Sequence, residues 1–266
     1  MLGVHYMTVY RYVRTGKLQA SKNGAQWRVR RRDVETLRRG DRAAQAGRGA
    51  SSTVKARAGL EARMLAGDNA GAWQIVEGKL AGGLDPSGAL TDLVVPVMRS
   101  VGDRWARGEL TVADEHRATA VAQKVVGRLG LQFGRRGRRR GAVVLAAPAG
   151  DLHTLPVAIA ADLLRWRGFN VVELGAHTPA AAIGEAAART GQLRAVGIVS
   201  TTAGLNGAIG EAVTAVKTAA PGVPVLLGGG AMSRSTARRL AADLYTGTDA
   251  DALVAAIEAI TDERRP

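Results

Sequence analysis

The chain has 266 residues, enough for two or three domains, and is 46% hydrophobic but only 4% aromatic, so a core of small aliphatic side chains is expected. It contains no cysteine, which excludes disulfides and thiolate metal sites, and no apolar run near the roughly 20 residues of a membrane span. The first residues do not read as a signal peptide, so a soluble cytoplasmic protein without a membrane partner is expected.

The net charge of +14 is uneven. Residues 1–57 hold 14 Lys and Arg against 3 Asp and Glu, and "RRGRRR" at 135–140 adds five more positive charges, leaving the remainder slightly acidic. A basic, patterned end on a near-neutral body points to nucleic acid.

That end is ordered. Leu2-Gly3-Val4 reads as a helix end and tight turn, and His5 to Val13 as a helix with Val9 and Val13 facing inward. Gly16 can stop it. "LQASKNGAQWRV" alternates about Asn23-Gly24, a hairpin signal, and "RRDVETLRR" can close the unit as a helix. The pattern "LGV…TVYR…G.L…WRV" resembles the winged helix-turn-helix of the MerR and excisionase-like families. The resemblance implies double-stranded DNA as partner. It implies a recognition helix with Tyr6, Met7, Thr8 and Arg11 near base edges, and Lys17, Lys22 and Arg28 on phosphates. Tyr10 and Tyr12 are alternatively core residues for the wing. Such domains begin with another helix before "LGV", so the first helix is expected to be missing here.

The expected boundaries are 1–42 for this domain, 43–55 for a small, polar linker, 56–134 for a helical region, 135–140 for a basic linker and 141–266 for an α/β domain. The helical region divides at Gly67-Asp68, Gly82 to Pro86 and Gly108 into helices at about 56–66, 69–81, 86–107 and 112–131. Four short-linked amphipathic helices predict an up-down bundle. Asp85-Pro86 suits an N-cap with proline in the first turn. Gly108 suits the residue after a C-cap, and Thr111 with Asp114 a capping box. In "WARGELTVADEH", Trp105 then closes one helix while Glu115 and His116 open the next, and all three can converge at one end of the bundle. An indole, a carboxylate and an imidazole there suit a planar ligand that carries a sugar. The alternative is a core tryptophan beside a solvated helix start.

From 141 the chain alternates strands and helices. Strands are predicted at 142–147, 170–174, 195–200, 223–228 and 243–246, with helices at about 155–167, 179–190, 206–219, 233–242 and 249–261. Five βα units predict a doubly wound parallel sheet of flavodoxin-like (Rossmann-type) order 2-1-3-4-5, with its crevice at the carboxyl ends of strands one and three. The polar residues follow the strands: Asp151 and His153 after the first, Ser200 and Thr202 after the third, Gly228 to Gly230 after the fourth. No GxGxxG follows the first strand, which argues against a dinucleotide.

Asp-x-His, Ser-x-Thr and Gly-Gly in this order resemble the cobalamin-binding module. The resemblance implies that His153 ligates cobalt from below in place of the cofactor's own base, and that Asp151 bonds the other ring nitrogen. It implies that the displaced tail lies beside Ser200 and Thr202, with Gly228 and Gly229 leaving room. Trp105 with Glu115-His116 has the spacing found in the bundle of photosensory members. There the Trp caps the upper ligand, the Glu binds the adenosyl ribose, and the His supports the pocket or an interface. The chain therefore resembles, over about 240 of its 266 residues, the CarH/LitR class of light-responsive, adenosylcobalamin-binding transcription regulators. That implies a homo-oligomer, dimer or tetramer, and no enzymatic activity. Methylcobalamin or another cobalamin is the alternative cofactor.

Two positions depart from the pattern. Pro156 stands where the Asp-x-His motif ends in Gly. Ala106 follows the capping Trp where well-known members carry a second cobalt-capturing His, so a two-His state through that position is impossible. Two other readings remain: a methyl-carrying corrinoid protein, which needs no DNA-binding end, and a DNA-binding regulator whose last domain no longer binds cobalamin.

Overall fold

The computed structural model describes residues 9, 12, 13, 18–23, 26–134 and 139–263, and the chain divides into two units, 1–58 and 59–266. In the first unit, strands β1 (Ala20–Asn23) and β2 (Gln26–Val29) pair antiparallel, Ala20 opposite Val29 and Asn23 opposite Gln26, as Asn23-Gly24 predicts. Val9, Tyr12 and Val13 are helical and half-buried, and Leu18 is buried.

Helix α1 (Arg31–Leu65) follows. The segment expected as a linker, residues 43–55, lies within this helix. The segment holds Ala43, Ala44, Ala46 and Ala50, good helix formers, and its glycines at 47 and 49 do not stop it.

In the second unit, the last turns of α1 meet α2 (Asn69–Ala81) at Gly59 and Ile75, a helical stretch from residue 86 at Glu61 and Arg104, and α5 (Val112–Gly130) at Leu65 and Arg117. Leu60, Met64, Val76, Leu90, Leu93, Val97, Val101, Val121 and Leu129 form its buried apolar interior. The stretch from residue 86 is not one regular helix. It comprises α3 (Pro86–Gly88), a π-helical segment (Ala89–Val94) and α4 (Val95–Ala106). Pro96 explains the break. It has no N–H, and its ring would strike the carbonyl four residues back. The chain widens just before it, with Val95 N–H bonding Leu90 O five residues back. Arg128 stacks on Trp73 at 4.0 Å and ties α5 to α2.

The remainder is β3 (Ala142–Pro148), α6 (Leu155–Trp166), β4 (Asn170–Thr178), α7 (Ala180–Arg189), β5 (Leu193–Val199), α8 (Asn206–Ala219), β6 (Val225–Gly228), α9 (Arg234–Arg239), β7 (Leu244–Tyr245) and α10 (Ala250–Glu263). The sheet order is β4-β3-β5-β6-β7, all parallel, which is the predicted 2-1-3-4-5. Every residue of β3 is buried, as a central parallel strand covered on both faces requires. Val144, Ala146, Val196 and Ile198 pack with Ile183, Ile209 and Val213 of α7 and α8. Leu145 and Leu253 of α10 meet over Gly197 on the other face. The carboxyl ends of β3 and β5 stand side by side at the point where the strand order reverses.

Candidate functional site

Asp151 organises the crevice. It follows a turn closed by its own N–H on Pro148 O at 3.0 Å, and it is only 1% exposed. Its Oδ2 accepts the backbone N–H of Thr201 at 2.6 Å and of Thr202 at 3.2 Å, so the loop after β3 is stitched to the loop after β5. Its Oδ1 accepts the His153 N–H at 3.1 Å, the His153 ring Nδ1–H at 2.8 Å and the Thr202 hydroxyl at 3.2 Å. Burial pushes the carboxyl up. The bonds from Thr201, His153 and Thr202 outweigh it, and the pKa lies below the usual carboxylate value. An ionised Asp151 favours the tautomer with the proton on Nδ1 of His153, leaving the lone pair on Nε2. The side chain is 61% exposed, and with Nδ1 turned to Asp151, Nε2 is the ring nitrogen left for a metal.

Ser200 is buried and packs the crevice wall. Its N–H bonds Gly228 O at 2.8 Å, and its hydroxyl bonds Thr202 O at 3.4 Å. Gly229 has φ +108°, and a Cβ there would lie 2.7–2.8 Å from the backbone carbon and nitrogen of Ser200. A Cβ at Gly228 would lie 2.7 Å from Thr246 Oγ1. In this structure the space those two glycines leave is taken by neighbouring strand ends. Open space lies instead at Gly230, where a Cβ would meet nothing within 4 Å.

On the bundle side, α4 ends as the sequence predicts. Gly108 has φ +76°, its N–H bonds Trp105 O at 2.9 Å, and Glu109 N–H bonds Arg104 O at 2.9 Å, a Schellman closure. The Thr111/Asp114 capping box opens α5 with both of its bonds. Trp105 is 48% exposed, so it is not a core residue. Glu115 is three-quarters buried and accepts the Thr119 hydroxyl at 2.7 Å on one oxygen and pairs with His116 Nδ1 at 2.7 Å on the other. His116 is itself mostly exposed.

Glu115, Thr119 and Gln123 recur every four residues on one side of α5. Gln123 Nε2 donates to Thr154 Oγ1 at 2.9 Å. The side of α5 that begins with Glu115 is thereby bonded to the residue next to His153, roughly 12 Å along the helix from Glu115. The turn between α4 and α5 is also fixed to α1: Arg104 donates to Glu61 at 2.6 Å, and Arg117 donates to the terminal carbonyl of Leu65 at 3.0 Å. Among the expected DNA contacts, Tyr6, Met7, Thr8, Arg11 and Lys17 lie outside the described residues, as does Tyr10. Lys22 is in β1, and Arg28 is exposed on β2.

Sequence reasoning did not single out Thr201, Thr119, Gln123 or Thr154. Helical spacing from Glu115 could have found Thr119 and Gln123. Thr201 acts through its backbone and leaves no signature in residue type.

B12 binding domain families match residues 56–129 and 141–257, and a helix-turn-helix domain family matches residues 1–42. The HTH-type transcriptional repressor CarH of Myxococcus xanthus is 32% identical over 225 residues, covering 80% of this chain and 73% of the repressor. The chain belongs to the CarH family of cobalamin-binding transcription regulators. Trimethylamine corrinoid protein 1 of Methanosarcina acetivorans is 26% identical over 191 residues, 70% of this chain and 88% of that protein. The fold is also that of the Methanosarcina barkeri monomethylamine corrinoid protein, with TM-score 0.62 and 19% identity over 75% of this chain and 96% of that one.

As a CarH-family member the chain binds cobalamin and DNA, and it is a regulator, not an enzyme. Its residues fit the cofactor: a solvent-facing imidazole nitrogen backed by a buried, ionised carboxylate is the donor set a cobalt centre takes. Pro156 does not disturb it. It lies in the first turn of α6, where no N–H is needed. Ala106 ends α4 and carries no ligand atom. Among the described residues no helix is long and apolar enough to cross a membrane.

Proposed function

We propose that this regulator holds adenosylcobalamin between the bundle and the sheet, and that light acting on the cofactor changes its assembly and its hold on DNA. In this reading His153 Nε2 ligates cobalt, Asp151 fixes the imidazole, and Ser200, Thr202, Gly228 and Gly229 wall the crevice for the cofactor's tail. Trp105 covers the upper ligand, Glu115 accepts a hydrogen bond from the ribose, and His116 orients Glu115. When bound, the group supplies a photolabile cobalt–carbon bond.

The observation that carries the reading is the Gln123–Thr154 bond beside His153, on the side of α5 that begins with Glu115. It supports one pocket with His153 below and Trp105 and Glu115 above. The protein's part is to exclude water from the upper ligand and to couple its loss to the bundle. Arg104 and Arg117, at the ends of the Trp105–Glu115 turn, bind the last turns of α1, the helix that begins beside the β1–β2 hairpin. Movement of that turn would reach α1 directly. We place the protein in the cytoplasm as a homo-oligomer, dimer or tetramer. With Ala106 in place of a second histidine, the lit state reverts readily when fresh cofactor is added in the dark.

The upper pocket is tested by titrating adenosylcobalamin and methylcobalamin in the dark. An indole over the adenosyl group contributes about 1–3 kcal/mol, and a carboxylate–ribose hydrogen bond about 1.5–3 kcal/mol. The adenosyl form should therefore bind at least about tenfold tighter. Trp105→Ala with Glu115→Gln should remove the preference. Equal affinities in the unaltered protein would reduce it to a plain corrinoid-binding regulator. A methyl-carrying role, which the corrinoid relatives raise, has no use for the helix-turn-helix domain.

A further inference from the structure

Strand β4 does not run evenly beside β3. The register passes from Leu145 opposite Glu173 to Ala146 opposite Gly175, and then to Pro148 opposite Thr178, so β4 carries two extra residues at its carboxyl end. Bulges of this kind re-aim side chains near functional sites. Gly175 has φ +78°, which costs glycine little, but His177 has φ +50°. A histidine in the left-handed region is held there against a cost, and something must repay it.

The bonds His177 makes are to the crevice loop. Its backbone N–H bonds Asp151 O at 2.8 Å, and its ring Nδ1 accepts the Gly150 N–H at 2.8 Å. Gly150 is itself fixed in form: φ is +92°, and a Cβ there would lie 2.8 Å from Leu205. The Asp151 peptide is therefore tied to β4 through His177 on one side, while its carboxylate is tied to Thr201, Thr202 and His153 on the other.

We propose that His177 is a positioning residue that fixes the Asp151–His153 pair, and with it the direction of the His153 Nε2 lone pair. The inference rests on the reading of His153 as the lower cobalt ligand. An Nδ1 that accepts from Gly150 carries no proton, so the neutral ring keeps its proton on Nε2. His177 thus has no lone pair on Nε2 for cobalt and acts through the loop alone.

The test uses the full chain with His177→Gly, His177→Asn and His153→Ala. Glycine keeps the left-handed backbone and deletes only the ring acceptor. Asparagine tolerates the same backbone and places an amide oxygen at the δ1 position. Three quantities are read: amide hydrogen exchange over residues 149–154 without cofactor, and the dark absorption spectrum and affinity with adenosylcobinamide, which lacks the cofactor's own base, so that a nitrogen on its cobalt comes from the protein. His177→Gly should speed the exchange, weaken binding about tenfold or more, and reduce the band of nitrogen-ligated cobalt. His177→Asn should restore all three. Unchanged exchange and an unchanged spectrum in His177→Gly, with the nitrogen band lost in His153→Ala, would overturn the role of His177 and leave the ligand reading intact. An unchanged band in His153→Ala would overturn both. Should His177→Gly fail to fold, a folded His177→Asn that lacks the nitrogen band overturns the inference, and one that keeps it upholds it.

Discussion

Asp151 and His153 meet at a single oxygen. Oδ1 of the aspartate accepts both the backbone N–H and the ring Nδ1–H of the histidine, at 3.1 and 2.8 Å. The two bonds fix the peptide and the imidazole together, so the ring cannot swing without breaking a charge-assisted contact worth about 1.5–3 kcal/mol. Asp151→Asn keeps the side-chain shape but removes the charge that holds the Nδ1–H tautomer. Cobalamin affinity should fall about 10- to 100-fold. His153→Ala should fall further with the fold intact. Gel filtration with bound cobalamin followed by absorbance measures both, and equal retention in all three proteins would remove the pair from the site.

Gly229 and Gly230 are adjacent and should behave oppositely. A side chain at Gly229 meets the Ser200 backbone with φ at +108°, whereas at Gly230 it meets nothing within 4 Å. Gly229→Ala should destabilise the protein by about 2–4 kcal/mol or prevent folding. Gly230→Ala should lie within about 0.5 kcal/mol of the parent. Thermal melts compare them, and a Gly229→Ala protein as stable as the Gly230→Ala protein would contradict the close approach of β5 and β6.

Asp162 sets a pH dependence. It is buried on α6 against Gly130 of α5, and burial pushes its carboxyl above the ordinary 3.8, opposed by the Arg165 hydrogen bond and charge and aided by Glu173. A raised folded pKa means that the native state holds the proton more tightly than the unfolded one. Stability from this group therefore falls as pH rises from 3.8 through the raised value, and is level above it. Asp162→Asn should show a smaller loss of Tm over that window. Asp151 has the opposite sign: its pKa is lowered, so its contribution is present above 3.8 and is lost as pH falls below it. Parallel curves for the parent and Asp162→Asn would show that Asp162 is not strained by burial.

Much of this was legible because the sequence pattern and the packing ask for the same thing. The inner strands β3, β5 and β6 are short, largely buried apolar runs, and their alternation with helices points to a doubly wound sheet. Gly108 and the Thr111/Asp114 box mark the turn that presents Trp105 and Glu115, because chain ends of helices need those residues. The helix through 43–55 was hidden by glycines that read as a linker but are tolerated in a long helix. The π-helical widening before Pro96 was hidden because residue type shows that a bond is lost there but not how the chain absorbs it. His177 was invisible for a different reason: its left-handed backbone arises from a register shift between two strands, which no local pattern records.

Cofactor control of DNA binding is the central claim, and one measurement bears on it most directly. The full chain loaded with adenosylcobalamin is bound to a promoter fragment at fixed salt, first in the dark and then after green light. The salt is held constant because phosphate contacts release counterions, so that DNA affinity depends on salt. The fraction of DNA bound should change on illumination, return when fresh adenosylcobalamin is added in the dark, and fail to respond in His153→Ala. DNA binding that is the same with and without cobalamin, and the same in dark and light, would contradict the account.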